Sequence, residues 1–155
     1  MILSKIDHVA LSVSNLQRSI DFYRNLLGAE VIRILECDPE SLLGKVVGMP
    51  GCRARIAHCQ IGDTMLELFE YVSPSGKPVD EHSLQADKGW IHLGITSDDV
   101  NTDYARLKEK GVAFLSEPVE FRPGVWIVYF RGPDKEVCEL RQTPPGDSDT
   151  HNESQ

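Results

Sequence analysis

The stretch IDHVALSV, residues 6–13, decides how this chain reads, because a near copy of it, WIHLGITS, returns at residues 90–97. Each is a short apolar and β-branched run that predicts a buried strand. Each also carries an imidazole that a strand core does not need: His8, beside Asp7, in the first and His92 in the second. A helical pattern follows both copies. The first runs from Asn15 to Leu27, with Ser14 or Asn15 as N-cap, Gly28 as stop, and Leu16, Ile20, Phe22, Tyr23, Leu26 and Leu27 on its apolar side. The second runs from about Val100 to Lys110, with Asp98 or Asp99 as cap, Gly111 as stop, and Val100, Tyr104 and Leu107 at helical spacing.

Strand-like runs fill the rest. AEVIRIL, ARIAHCQI and TMLELFEY follow the first helix, and VAFLSEP, VWIVYF and EVCELRQ follow the second. Gly62-Asp63 and the GPDK stretch from Gly132 to Lys135 mark hairpin turns. Each half therefore reads β-α-β-β-β, and a repeated unit predicts two modules related by a pseudo-twofold. The expected organisation is a first module over residues 1–72, a linker over 73–89, a second module over 90–143, and a disordered tail over 144–155. The fold class is α+β: two tandem βαβββ modules forming a cupped mixed sheet, with helices outside and a concave face suited to a small molecule.

Bulk properties exclude several functions. The chain has 155 residues, 41% hydrophobic, with a formal net charge of -8, so it can bury a core while presenting an acidic surface. Clustered lysine and arginine hold nucleic acid and anionic membranes, so neither is an expected partner. No run of about eighteen apolar residues offers a membrane span. The opening MILSKIDHV has no long apolar core or small-residue cleavage site, so a secretory signal is not expected. Cys37, Cys52, Cys59 and Cys138 form no CxxC pair and read as reduced thiols of a cytoplasmic protein.

Strand alternation then sorts the polar residues. In the first strand Val9, Leu11 and Val13 make the packed face, and His8 lies on the other with Ala10 and Ser12. In the repeat His92 shares a face with Gly94 and Thr96. The closing strands place Glu67 with Met65, Phe69 and Tyr71, and Glu139 with Val137 and Arg141. A carboxylate among apolar neighbours costs several kcal/mol of effective desolvation unless a cation, a proton or a metal compensates. Arg55 across the sheet is one such cation for Glu67. One histidine and one glutamate per half, in repeat register, point instead to a shared centre. Neutral imidazole with carboxylate suits one divalent ion of the Ni, Zn, Co, Mn or Fe group, with about two positions left for substrate oxygens.

DHVALSVSNLQRSIDFYRNLLGAEV, GDTMLELFEY, WIHLGITSDDV and GPDKEVCELRQ together resemble the vicinal oxygen chelate superfamily, which includes glyoxalase I, methylmalonyl-CoA epimerase, extradiol dioxygenases and antibiotic-resistance proteins. The resemblance implies metal ligands at His8, Glu67, His92 and Glu139, with Glu139 as catalytic base, and a homodimer acting on a small molecule with adjacent oxygens. A glutamate at position 67 looks most like bacterial-type metal-dependent glyoxalase I. That enzyme's glutathione-holding arginine and asparagine correspond here to Ser12 and Tyr71, and the epimerase's second carboxylate corresponds to Gly51, with Glu36 or Glu40 as the nearest substitutes.

The expected function is thus a metal-dependent lyase or isomerase, with lactoylglutathione lyase as a candidate member of that class, that abstracts a proton beside a carbonyl and stabilises an enediolate. The alternatives are an Fe(II) extradiol-type dioxygenase, a methylmalonyl-CoA-type epimerase and a metal-free binding or resistance protein. His58 is a further candidate for substrate binding, beside a reading as an ordinary hydrogen-bonded strand residue. Tyr71 shares the face of Glu67, and Arg122, in an EFRPG turn, could meet a substrate anion.

Overall fold

Asn15 opens helix α1 (Leu16–Leu27) by accepting the backbone N–H of Arg18 at 2.9 Å through its side-chain oxygen. Gly28 closes it in the left-handed region at φ 75°, where a residue without Cβ carries no steric penalty. These two signals and the apolar stripe between them fix the helix, which buries Leu16, Ile20 and Tyr23. The computed structural model describes residues 6–80 and 82–146. The chain divides into two compact units, residues 1–79 and 80–155.

In the first unit α1 packs over a four-stranded sheet in the order β1-β4-β3-β2. The strands are β1 (His8–Ser12), β2 (Glu30–Cys37), β3 (Arg53–Ile61) and β4 (Thr64–Ser73). Gly62-Asp63 joins β3 to β4, and Ile61 faces Thr64 across that turn. A short helix, α2 (Leu43–Val46), interrupts the β2–β3 connection and had no sequence signal. The core lies between α1 and the sheet, where Ala57, Cys59, Leu66 and Leu68 are buried. The opening strand departs from expectation. β1 sits at the sheet edge, with β4 as its one partner among the described residues, and so Val9 stays 37% exposed while Val13 alone of its face is buried.

The second unit repeats the plan in the order β5-β8-β7-β6. Its elements are β5 (Leu93–Thr96), helix α3 (Val100–Glu109), β6 (Val119–Arg122), β7 (Val125–Arg131) and β8 (Val137–Gln142). Asp99 caps α3 by accepting the Thr102 N–H at 3.0 Å. Val100, Leu107, Val128, Phe130, Cys138 and Leu140 form the core beneath it. In the turn before β8, Gly132 faces Glu136 so closely that any Cβ would collide with its carboxylate.

Three predicted elements are corrected here. The strand expected from Trp90 begins only at Leu93, the first residue paired with β8, opposite Cys138, so His92 lies just before the strand. VAFLSEP forms an isolated bridge from Phe114 to Phe130 rather than a strand, and β6 follows Pro118. Arg122 is not in the turn: it ends β6 opposite Val125, and Pro123-Gly124 makes the turn.

Both units show the expected βαβββ order around mixed sheets, the α+β class read from the repeat. Residues 75–92 carry no helix or strand among those described. Most of the tail expected from residue 144 lies outside the described residues; Pro144 is described and packs against Gly124.

Candidate functional site

In the first unit the sheet faces divide cleanly. Leu66, Leu68 and Glu70 of β4 turn towards α1, and Met65, Glu67, Phe69 and Tyr71 turn to the opposite side. Parallel pairing sets Glu67 beside Ala10 of β1, and antiparallel pairing sets it opposite His58 of β3. Glu67 thus sits between two imidazoles: His8 Nε2 is 3.5 Å from Oε2, and His58 Nε2 is 3.2 Å from Oε1. Behind each imidazole stands a different partner. Asp7 Oδ2 lies 3.1 Å from His8 Nδ1, whereas Arg33 Nε donates to His58 Nδ1 at 3.2 Å. The hydrogen bond to Asp7, then the charge of Glu67, raises the pKa of His8 above its ordinary value.

Arg55 does not compensate Glu67. It bonds Glu36 at 3.1 Å and Glu70 at 3.2 Å, and Glu70 also accepts the N–H of Leu16 at the start of α1. Glu36 is held through Arg55 to this helix-side network and does not join the face of Glu67, which removes it as the second base considered above. Tyr71 does share that face and stacks on Phe69 at 5.8 Å. Burial, with the Cys52 and Cys37 thiols nearby, pushes its phenol up.

In the second unit Glu139 of β8 is the charged member of the buried set, only 7% exposed. It lies beside Gly94 of β5 and opposite Tyr129 of β7. His92 Nε2 is 2.9 Å from its Oε2, and an Arg141 guanidinium nitrogen stands 4.0 Å from its Oε1, the outer limit of an ion pair. Tyr129 meets the His92 ring edge-on at 5.1 Å, and burial followed by the Glu139 charge raises its pKa. Gln85, from the irregular stretch, puts its amide oxygen 3.4 Å from His92 Nδ1 while its amide nitrogen donates to the Ile91 carbonyl at 3.2 Å.

Each unit by itself therefore joins its histidine to its glutamate: His8 to Glu67, and His92 to Glu139. No group of three or more His, Cys, Asp or Glu is clustered as a preformed metal site among the described residues. The donor chemistry nonetheless fits a divalent ion. In each pair an imidazole nitrogen faces a largely shielded carboxylate whose close partners are histidines rather than lysine or a bidentate arginine. Arg122, exposed on β6, lies two strands away from β8, the strand that carries Glu139.

Sequence reasoning undervalued His58 and missed Tyr129, Arg33 and Gln85. Strand alternation assigns faces, but cross-strand partners follow from register, which the turns set. A histidine aligned with Glu67 through the two-residue Gly62-Asp63 turn was the one available signal.

A family model described as Glyoxalase/Bleomycin resistance protein/Dioxygenase superfamily matches residues 5–140. The mitochondrial methylmalonyl-CoA epimerase of Bos taurus is 32% identical over 117 residues, 74% of this chain. The chain spans 59% of that protein's length. A 2-epi-5-epi-valiolone epimerase from Actinomyces sp is 32% identical over 151 residues, covering 91% of this chain and 80% of that protein. The crystal structure of a glyoxalase family protein from Bacillus cereus superposes with a TM-score of 0.84 at 20% identity, covering 93% of this chain and 97% of that one, a likeness of fold.

Proposed function

Because the chain belongs to the Glyoxalase/Bleomycin resistance protein/Dioxygenase superfamily, we propose that it is a metal-dependent lyase or isomerase that moves a proton at a carbon beside a carbonyl. The observation that carries this reading is Glu139: a carboxylate 7% exposed, set against an imidazole at 2.9 Å and facing a tyrosine across the sheet. A structural carboxylate in such a place is normally neutralised by a close arginine or lysine. Glu139 has Arg141 only at the edge of ion-pair range.

His8, Glu67, His92 and Glu139 are the proposed ligands of a divalent ion, Ni, Zn, Co, Mn or Fe. When bound, the ion supplies Lewis acidity that stabilises negative charge developing on a substrate oxygen. Glu139, shielded and facing the site side of β8, takes the proton. Tyr129, opposite Glu139, is within the same sheet face and can donate to a substrate oxygen. Glu67, the second carboxylate of the set, is available to return the proton.

The named relatives favour epimerase chemistry within this class. Ser12 and Tyr71 stand where a glutathione-specific relative places its contacts, which weighs against glutathione as a required part of the substrate. The test is a panel in D2O with added divalent metal: a 2-methyl-branched acyl-CoA thioester, a cyclic hydroxyketone, the methylglyoxal–glutathione hemithioacetal and a catechol in air. Solvent deuterium appearing at the carbon next to the carbonyl of one substrate supports the reading. Oxygen uptake with the catechol and no exchange elsewhere would replace it with a ring-cleaving dioxygenase, and chelator-insensitive binding without turnover would replace it with a sequestration protein.

A further inference from the structure

The three histidines of the two half-sites differ in what stands behind Nδ1, and that difference sorts their roles. A guanidinium is protonated at any working pH and has no acceptor. Arg33 Nε, 3.2 Å from His58 Nδ1, therefore demands a lone pair on that nitrogen. A neutral imidazole then carries its single proton on Nε2, which lies 3.2 Å from Glu67 Oε1. Protonating both nitrogens would set one N–H against another. His58 is by this logic a hydrogen-bond donor to Glu67 and has no Nε2 lone pair to give.

His8 and His92 are built the other way. Asp7 Oδ2 behind His8 accepts, at 3.1 Å. Behind His92 the Gln85 amide is oriented by its own N–H bond to the Ile91 carbonyl, so its oxygen faces Nδ1 at 3.4 Å. An acceptor behind Nδ1 keeps the proton there and leaves Nε2 as the coordinating atom, the usual arrangement for a metal-binding histidine.

We infer that His58 is a positioning residue, an Nε2–H donor whose tautomer Arg33 fixes, which holds Oε1 of Glu67 and leaves Oε2 as the oxygen offered to a cation. The inference rests on the reading of Glu67 as a ligand. Half of its content, the tautomer, stands independently of any metal.

The test uses the full chain, metal-free, at pH 8.5, with two-bond proton–nitrogen spectra of the imidazoles. His58 is expected as the Nε2–H tautomer, and Arg33→Met is expected to release it into a mixture. An Nδ1–H tautomer at His58 in the wild type overturns the inference. Addition of 113Cd2+ is the second arm. Coupling to His58 Nε2 would make it a ligand and likewise overturn the inference, whereas coupling confined to His8 and His92 supports it. Zn2+ affinity is then compared between His58→Gln, which keeps an N–H donor, and His58→Met, which does not. Affinity held by the first and lowered about 10- to 100-fold in the second supports positioning. Equal losses in both overturn it. If neither metal binds the wild type, the ligand reading of Glu67 fails, and the tautomer spectrum separately decides whether Arg33 fixes His58.

Discussion

Glu139 and His8 illustrate how one residue's surroundings set its chemistry. Glu139→Gln keeps the shape and removes the base, so deuterium exchange into the substrate should fall by about 10² to 10⁴. The same change removes a shielded charge, and the thermal midpoint of the metal-free protein should hold or rise. A fall in both activity and midpoint would mark Glu139 as a structural residue. His8 gives a pH prediction. Asp7 first, and Glu67 second, raise its pKa in the fold. A raised folded pKa stabilises the native state below the unfolded value, and that contribution is lost as pH rises through the folded value. Urea denaturation of the metal-free chain should show Asp7→Asn losing stability relative to wild type near pH 5 and losing less above pH 8. The exposure of His8, 43% for its side chain, keeps the effect small. Glu67, Glu139, His8 and His92 were legible because they repeat, one pair per half. Arg33 and Gln85 were not, since each acts through a contact, Arg33 across a strand pair and Gln85 from an irregular stretch, that no local pattern encodes.

Elements follow the same division. Helix α1 was readable to its caps because Asn15 and Gly28 act locally, through one side-chain bond and one backbone conformation. Asn15→Ala should cost about 1 kcal/mol by chemical denaturation. Leu68, fully buried between sheet and helix, should cost about 2–5 kcal/mol on truncation to alanine. Losses as small at Leu68 as at Asn15 would contradict the packing described. Strand limits were less readable. Trp90, Ile91 and His92 have strand composition, yet a strand needs a paired neighbour, and pairing with β8 begins only at Leu93, opposite Cys138. β1 has a buried-strand composition too, but its edge position leaves Val9 partly open. Such losses are tertiary: propensity proposes a strand, and available partners decide its length.

At the scale of the molecule, a repeat legible in two short phrases became two units with the same topology, each holding one histidine against one glutamate. Several large apolar side chains are left open on this chain, Trp90 fully and Val46, Ile6, Leu42 and Phe121 each more than three-quarters. An isolated chain gains nothing by exposing them, so sedimentation should show a homodimer at micromolar concentration; a concentration-independent monomer would contradict this. The central claim is that both half-sets serve one cation. Metal-stripped wild type, His8→Ala and His92→Ala should be titrated with Co2+ or Zn2+ by calorimetry. The account predicts one ion per chain for the wild type and a collapse of binding in both variants alike. A wild type that takes no ion, or a His92→Ala chain that binds as the wild type does, would contradict it.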